Sequence, residues 1–225
     1  MKKMLLIILS GLCISPASAV YFNSVIYDMD DSKDFISRPI INDTKRTNLY
    51  TIDAYKISRP GNGMERTEID VNKELVWSPL KFTVQANGRE YFKLYYRGPR
   101  DDIERYYRVI FKESPVTLFP WRMERKEMDI IPVVSMSTIL VVRPRNTKLN
   151  YEIDEKNGTI KNTGNTYFRV ILQKGCTGDD ESSTQFYMLP GEVWKGPEGT
   201  EANKKFVVAL GKYHRLGDGC FNDSP

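Results

Sequence analysis

The residues that could carry covalent chemistry are few, and their spacing does not fit a catalytic arrangement. His214 is the only histidine, and no motif marks a nucleophile for it to activate. The chain lacks the G-x-S-x-G elbow, the phosphate-binding loop and the C-x-x-C pair. Acidic residues cluster near Glu152 and Asp179, but in turn-like stretches typical of solvated loops, not of a general acid and base pair. We therefore predict a protein that is not an enzyme and has no metal or cofactor.

The first 19 residues have the three-part design of a secretory signal peptide. Two lysines precede a short apolar run, and small residues at positions 17–19 close the segment. Cleavage after Ala19 removes Cys13, and it removes two lysines and no acid, so the formal charge falls from +4 to +2. That charge does not favour nucleic acid as a partner. No later stretch reaches the ~20 apolar residues of a membrane helix, so we expect an exported protein without membrane insertion.

Two cysteines remain in the mature chain, Cys176 and Cys220. Two cysteines in an exported protein most often pair, so we predict a disulfide between them. Both lie in the last third of the chain, so the crosslink would stabilise a C-terminal unit only.

The mature chain consists of short alternating segments separated by Gly, Pro and Asn turns. Tyr50, Ile52 and Ala54 alternate with polar residues, as do the apolar residues of 106–112 and 167–173. Asn157-Gly158 is a hairpin signal, and Phe206, Val208 and Leu210 predict a late strand. Strands at this spacing indicate an all-β fold of sandwich domains. We place the domain boundary after Pro144, which gives units 20–144 and 145–225.

The longest apolar stretch is residues 130–144, IIPVVSMSTILVVRP, and it is apolar on both alternating faces. Either the strand is central and buried on both sides, or another molecule covers one of its faces. Pro132 cannot donate to a ladder, and the preceding residues 116–129 resemble a loop. These two features favour an exposed apolar edge strand, which soluble proteins usually avoid unless a partner takes it up.

Four segments, in order along the chain, resemble the periplasmic chaperones of chaperone-usher pilus assembly, in particular the branch that serves the common pilus of enteric bacteria. They are EYFKLYYRGPRDDIERYYRVIFKESP at 90–115, TILVVRPR at 138–145, NTGNTYFRVIL at 162–172 and MLPGE at 188–192. The resemblance implies two immunoglobulin-like β-sandwich domains in an L-shaped arrangement. It also implies a pilus subunit, pilin or adhesin, as the partner, and delivery to an outer-membrane usher.

In this family the final strand of the first domain completes the unfinished sandwich of the subunit. The resemblance places that strand at residues 130–142 and makes Ile130, Pro132, Val134 and Met136 the donor row. The opposite row is then expected to pack into the chaperone's own core. A slip of one residue would exchange the two rows.

Many members grip the carboxyl terminus of the subunit with a Lys on this strand and an Arg on the first strand. Here Ile139 stands at the Lys position, and residues 20–29 contain no basic residue. Arg143 and Arg145 are candidate substitutes, or else ordinary solvated residues at a strand end. Lys93 and Glu104 stand where the family has a buried ion pair, so we expect a structural pair there.

The prediction is therefore a periplasmic chaperone that captures subunits by donor-strand complementation and uses no nucleotide. The alternative is a structural pilus subunit or adhesin with the same sandwich units. Subunits usually carry an alternating apolar N-terminal extension, whereas the segment at residues 20–34 is short, and it is rich in acids after Ile26. Self-association of the unloaded protein through its apolar edge is left open.

Overall fold

The computed structural model describes residues 20–61, 70–116 and 133–221. In these ranges the chain forms sixteen β-strands and two short 3-10 turns, at Val71–Lys73 and Pro197–Gly199, and no α-helix. The all-β prediction is confirmed. The strands fall into two groups, β1 to β9 and β10 to β16, and each hydrogen-bonded sheet draws its strands from one group only.

The first group forms a sandwich of two sheets with strand orders β1-β3-β7-β5 and β2-β9-β8-β4-β6. Its strands are β1 (Val20–Tyr21), β2 (Ile26–Met29), β3 (Phe35–Asn42), β4 (Asn48–Ile57), β5 (Leu75–Ser78), β6 (Lys81–Val84), β7 (Gly88–Tyr96), β8 (Arg105–Pro115) and β9 (Val134–Val142).

The core of this sandwich, called here the first core, follows the alternation of the sequence. Tyr107, Val109 and Phe111 of β8 are fully buried and pack against Phe92 and Leu94 of β7. Alternate residues of a strand point to opposite faces, so one apolar row in each sheet is enough to fill the space between them.

The second group forms a smaller sandwich with strand orders β10-β11-β14 and β13-β12-β15-β16. Its strands are β10 (Tyr151–Asp154), β11 (Thr159–Asn162), β12 (Phe168–Leu172), β13 (Thr184–Met188), β14 (Val193–Lys195), β15 (Lys205–Ala209) and β16 (Lys212–Arg215). The predicted domain boundary at Pro144 lies between β9 and β10.

The turn between β10 and β11 is the one that Asn157-Gly158 predicted. Gly158 has a φ of +62°, which glycine adopts at little cost, and the turn joins Asp154 to Thr159 in the ladder. A Cβ atom at position 158 would lie 2.3 Å from the carbonyl oxygen of Gly196. The position therefore needs glycine for both its backbone angle and its close packing.

A disulfide joins Cys176 to Cys220, with 5.1 Å between their Cα atoms. This confirms the predicted pair. The bond ties the loop after β12 to the C-terminal end of the described chain, and both ends belong to the second sandwich. It closes a loop of 44 residues, which in the loop-entropy account stabilises a domain by about 2–4 kcal/mol.

The late strand differs in one respect from its prediction. β15 buries Lys205, Val207 and Ala209, while Phe206 is only partly buried and Leu210 follows the strand in a turn with a φ of +50°. A sequence pattern places lysine on the solvent face. Here Lys205 is fully buried because its Nζ lies 2.6 Å from a carboxylate oxygen of Glu155 and donates to two backbone carbonyls.

The first strand of the chain is divided between the two sheets of the first sandwich. β1 pairs antiparallel with β3, whereas β2 pairs in parallel with β9 in the opposite sheet. Residues 22–25 cross from one sheet to the other, and Phe22 packs against Phe92 and Phe111 on the way. As a result only four residues of this strand, β2, are available to cover the flank of β9.

Candidate functional site: the flank of β9 and the cleft beside it

Among the described strands, β9 has a neighbour along only half of one flank. On its other side it pairs with β8 over its full length, but β2 pairs only with residues 139–142. The amide N–H of Ile139 donates to Val25 O at 2.8 Å, and that of Arg143 to Met29 O at 3.0 Å. Backbone groups alternate in direction along a strand, so Ser135 and Ser137 point their N–H and C=O groups to the same flank, where no described strand pairs with them.

We call residues 134–138 the open edge. It is a row of main-chain donors and acceptors of the kind that can pair with another chain. The two explanations offered by the sequence therefore each hold for one part of the strand. Residues 139–142 are central and buried, and residues 134–138 form an edge.

The two side-chain rows of β9 face different surroundings. Met136 lies opposite Phe111, and Leu140 opposite Tyr107, so the row of even-numbered residues continues into the first core. Val134, at the start of the row, is 50% exposed, Met136 is partly buried, and Leu140 is fully buried.

The opposite row, which was expected to pack into the chaperone's own core, does not join the first core. Ile139 and Val141 instead belong to a small cluster with Ile57, Tyr106 and Leu189 that joins the two sandwiches. The register against β8 decides the parity, and this long-range pairing cannot be read from β9 alone. Of the predicted donor row, Val134 and Met136 share the core-facing side, while Ile130 and Pro132 lie outside the described residues.

A cavity of about 340 Å³ lies between the two sandwiches, directly beside the open edge. Its wall is mostly apolar, and its polar lining residues are two arginines, one serine and two tyrosines. The lining residues are Val25, Ile26, Arg59, Pro60, Gly61, Arg108, Ser137, Ile139, Val141, Tyr167, Tyr187 and Leu189. We call this cavity the cleft pocket.

Arg108 is the cation of the cleft pocket nearest to β9. It lies on β8 directly opposite Ile139, so its side chain shares the face of Ile139, and its Nη1 donates to Ser137 Oγ at 2.7 Å. Arg59, at another part of the wall, pairs with Glu192 of the second sandwich at 2.7 Å. The sequence analysis missed Arg108 because its position beside Ile139 depends on the register of two strands that are far apart in the chain.

The joint between the sandwiches is held by a buried polar network around Glu104. The carboxylate lies 3.3 Å from Nη1 of Arg143 and accepts hydrogen bonds from the Tyr106 hydroxyl at 2.6 Å and the Tyr167 amide at 3.0 Å. Thr166 also contacts both Glu104 and Arg143. Burial raises the pKa of Glu104 above its ordinary value, although Thr166, Tyr106 and Arg143 act to lower it.

This network corrects the predicted ion pair. Lys93 is exposed on β7, opposite Ser37 and Ser78, and the buried cation beside Glu104 is Arg143. Glu104 is a buried, ion-paired carboxylate, as predicted, but its partner is Arg143 and not Lys93. Lys93 belongs to the other sheet, with its side chain on the surface that faces away from the core.

Arg143 and Arg145, the predicted carboxylate anchors, both have partners within the chain. Arg143 is 4% exposed, lies 3.1 Å from Asp28 and stacks over the ring of Tyr167 at 4.2 Å. Arg145 donates to the carbonyls of Asp31 and Lys33, at 2.6 Å and 3.0 Å, and pairs with Asp34. Neither residue is an ordinary solvated cation at a strand end, and neither lines the cleft pocket.

The acidic clusters weighed for catalysis have local partners. Asp154 accepts hydrogen bonds from Asn157, Glu155 pairs with Lys205, and Asp179 accepts from Ser182. Hydrogen bonds from Asn157 and Ser182 lower the pKa of Asp154 and Asp179 respectively. His214 lies on β16 opposite Val207.

Two other kinds of site are absent from the described ranges. No group of three or more His, Cys, Asp and Glu side chains that could hold a metal ion occurs within them. Nor does this part of the chain contain a helix of the length and apolarity needed to span a bilayer.

Comparison with known proteins points to one group. No family model matches the chain. It is 35% identical over 221 residues to the probable fimbrial chaperone EcpE of Escherichia coli O127:H6, covering 98% of this chain and 93% of that protein.

Solved structures with the same fold are much more distant in sequence. The periplasmic chaperone SfaE superimposes with a TM-score of 0.55 at 13% identity, covering 88% of this chain and 98% of that one. A chain from the complex of the Salmonella enterica SafA pilin with the SafB chaperone has a TM-score of 0.54 at 14% identity, covering 90% and 95%.

Proposed function

Because the chain belongs to the family of fimbrial chaperones of the chaperone-usher pathway, we propose that it binds an incomplete pilus subunit in the periplasm by adding a strand to it. It then delivers the subunit to an outer-membrane usher. The protein performs no covalent chemistry in this role and uses no cofactor. Its work is to cover apolar surface that would otherwise aggregate.

The observation that carries the proposal is the open edge of β9. A subunit strand that pairs there would satisfy the backbone groups of Ser135 and Ser137, and those main-chain bonds would supply affinity without regard to sequence. The apolar row of Ile130, Pro132, Val134 and Met136 would supply register, because a one-residue slip would turn it away from the subunit.

The side of β9 on which the donor row lies determines where the subunit would pack. Since Met136 and Val134 lie on the core side of the first sandwich, a subunit that takes up this row would extend the first core beyond the edge of the sheet. Val134 is half exposed in the free chain, so its burial on binding contributes favourable free energy of about 1 kcal/mol or more.

The cleft pocket is the place for the carboxyl terminus of the subunit. We assign the carboxylate to Arg108, in place of Arg143 and Arg145, because Arg108 lines the pocket beside the open edge. A guanidinium group can bind a carboxylate with two parallel hydrogen bonds. The apolar wall formed by Ile139, Val141 and Leu189 suits the side chain that precedes the carboxylate.

Co-expression tests the proposed function directly. The mature chain is produced together with candidate pilus subunits, and the expected result is a one-to-one complex with a subunit that is degraded when expressed alone. Polymerisation of this chain with itself into fibres would instead identify it as a subunit, and stable subunits without any complex would refute the chaperone role.

Arg108→Gln tests the assigned carboxylate site in the same assay. We expect the Arg108→Gln variant to yield at least tenfold less complex with the intact subunit than the wild type does. With a subunit that lacks its last residue, the variant should give the same low yield. Lys161→Gln, an exposed substitution on β11, is the matched control. If both variants capture the intact subunit equally well, Arg108 is not the anchor, and strand addition at the open edge is unaffected by that result.

A further inference from the structure

One cation of the cleft pocket is paired with a carboxylate of the chain itself. Of the described residues that line the pocket, two are cationic, Arg108 on β8 and Arg59 in the segment that follows β4. Nη2 of Arg59 lies 2.7 Å from a carboxylate oxygen of Glu192. Glu192 lies in the turn between β13 and β14, so this ion pair, called here the rim pair, bridges the two sandwiches.

Glu192 has a second partner, which belongs to the wall of the cleft pocket. Its other carboxylate oxygen accepts a hydrogen bond from the amide of Leu189 at 2.8 Å, and Leu189 lines the pocket. The amide of Glu192 donates in turn to the carbonyl oxygen of Leu189 at 3.1 Å. These two bonds hold Glu192 within its own turn, so its carboxylate keeps a partner if Arg59 turns away.

The rim pair contributes little to the stability of the joint between the sandwiches. The side chains of Arg59 and Glu192 are 48% and 30% exposed, and ion pairs that are open to solvent stabilise proteins only weakly. The buried carboxylate of Glu104 joins the same two sandwiches through Thr166 and the amide of Tyr167. Arg59 can therefore exchange its partner at a low cost in free energy.

We propose that Arg59 exchanges Glu192 for the terminal carboxylate of the subunit and so becomes a second cation of that site, with Arg108. This inference rests on the proposed function, in which that carboxylate enters the cleft pocket. The present partner of Arg59 is also a carboxylate, so the exchange replaces one ligand by another of the same chemistry. Glu192 then competes with the subunit for Arg59 and lowers the affinity of the empty pocket for the subunit.

The two members of the rim pair should have opposite effects on subunit capture. Arg59→Gln removes a cation that binds the subunit, and we expect at least fivefold weaker capture. Glu192→Gln removes the competing charge and leaves Arg59 in place, while the side-chain carbonyl at position 192 can still accept from the amide of Leu189. Because exposed ion pairs are weak, we expect this variant to capture the subunit about two- to threefold more strongly. A bridge with a purely structural role would give two changes of the same sign.

The experiment is a competition between two chains for one subunit. The wild type and a variant, each with a different affinity tag, are produced together with a limiting amount of the subunit that forms a complex in co-expression, and the ratio of the two purified complexes measures relative capture. Arg100→Gln is the matched control, because Arg100 is an exposed, ion-paired arginine that does not line the cleft pocket, and it should compete as the wild type does. The double variant, Arg59→Gln with Glu192→Gln, should behave as Arg59→Gln alone, since the competing charge acts only through Arg59. The thermal midpoints of the free variants should stay close to that of the wild type, and if Arg59→Gln lowers it, the gain expected for Glu192→Gln carries the test.

A subunit that lacks its last residue separates the carboxylate from other contacts. With this subunit, the loss in Arg59→Gln and the gain in Glu192→Gln should both disappear. Changes of the same sign in the two single variants, no change in either, or effects that persist with the shortened subunit would overturn the inference. Any of these results, obtained while one-to-one complexes still form, leaves the chaperone role intact. The absence of a complex with the wild type and with every variant would refute the proposed function, and this inference with it.

Discussion

The two halves of β9 have opposite surroundings. Residues 139–142 have β2 on one flank and β8 on the other, and their side chains are at most 9% exposed. Within the part of the chain that the structure describes, residues 134–138 pair with β8 alone, and Val134 is 50% exposed. The difference comes from the neighbouring strand β2. Residues 22–25 cross between the two sheets of the first sandwich, so β1 pairs with β3 and only β2 lies beside β9. An apolar strand becomes a binding edge where its neighbour ends.

We expect the largest effect on the free energy of unfolding from a change at Arg143, the residue that directly follows β9. Arg143→Ala would leave Glu104 buried without its cation, which costs about 3–5 kcal/mol in the free energy of unfolding. Urea unfolding of the oxidised mature chain measures it. The control is Arg100→Ala, since Arg100 is exposed and its pair with Asp34 is worth about 1 kcal/mol or less. Equal losses in the two variants would show that the joint does not depend on the buried pair.

Truncation of one residue in each half sharpens the comparison. Leu140→Ala removes a fully buried side chain from the first core and should cost about 2–5 kcal/mol. Val134→Ala, in the open edge, should change the free energy of unfolding by about 0.5 kcal/mol or less. Similar losses for both, again by urea unfolding, would mean that the open edge is covered in the free protein.

A charge at the open edge should separate binding from stability. Val134→Asp is expected to lower subunit capture at least tenfold, because binding would bury a carboxylate without a partner. The thermal midpoint of the free chain should stay close to that of the wild type. Val193→Asp, at a 59% exposed position on β14, is the control and should capture subunit normally. Undiminished capture by Val134→Asp would remove this residue from the donor row.

The smallest effect is a dependence of stability on pH. Burial raises the pKa of Glu104 above its ordinary value of 4.5, so between these two values the folded chain holds more protons than the unfolded chain. The contribution of Glu104 to the free energy of unfolding is therefore fully present below pH 4.5 and falls as the pH rises through the raised pKa. Glu104→Gln should remove this part of the slope in urea unfolding series above pH 4.5. Identical slopes in the two proteins would show that the ionisation of Glu104 is not linked to folding.

Local patterns in the sequence predicted the parts of the fold that depend on neighbours in the chain. The alternation of Tyr107, Val109 and Phe111 identified the core face of β8, and Cys176 and Cys220 were correctly paired. Asn157-Gly158 marked its hairpin. Each of these features depends on the preferences of a few consecutive residues or on the count of two cysteines.

The candidate site depends on contacts between distant segments, and there the sequence was less informative. The parity of β9 follows from its register against β8, and the partner of Glu104 from the meeting of two sandwiches at Arg143. Arg108 was missed because nothing in its own segment shows that Ile139 lies beside it. A charged residue in a strand has several candidate partners, and only the tertiary structure selects one.

The row that leads from Leu140 through Met136 to Val134 runs from a closed interior to an open end. If a client strand is added there, the two molecules acquire one continuous hydrophobic interior, and neither can unfold that part without exposing the other. The free energy of association then appears in the stability of both chains, and heating the complex should give a melting temperature for this chaperone that rises with the concentration of its client. The protein that protects the subunit would in this way be protected by it.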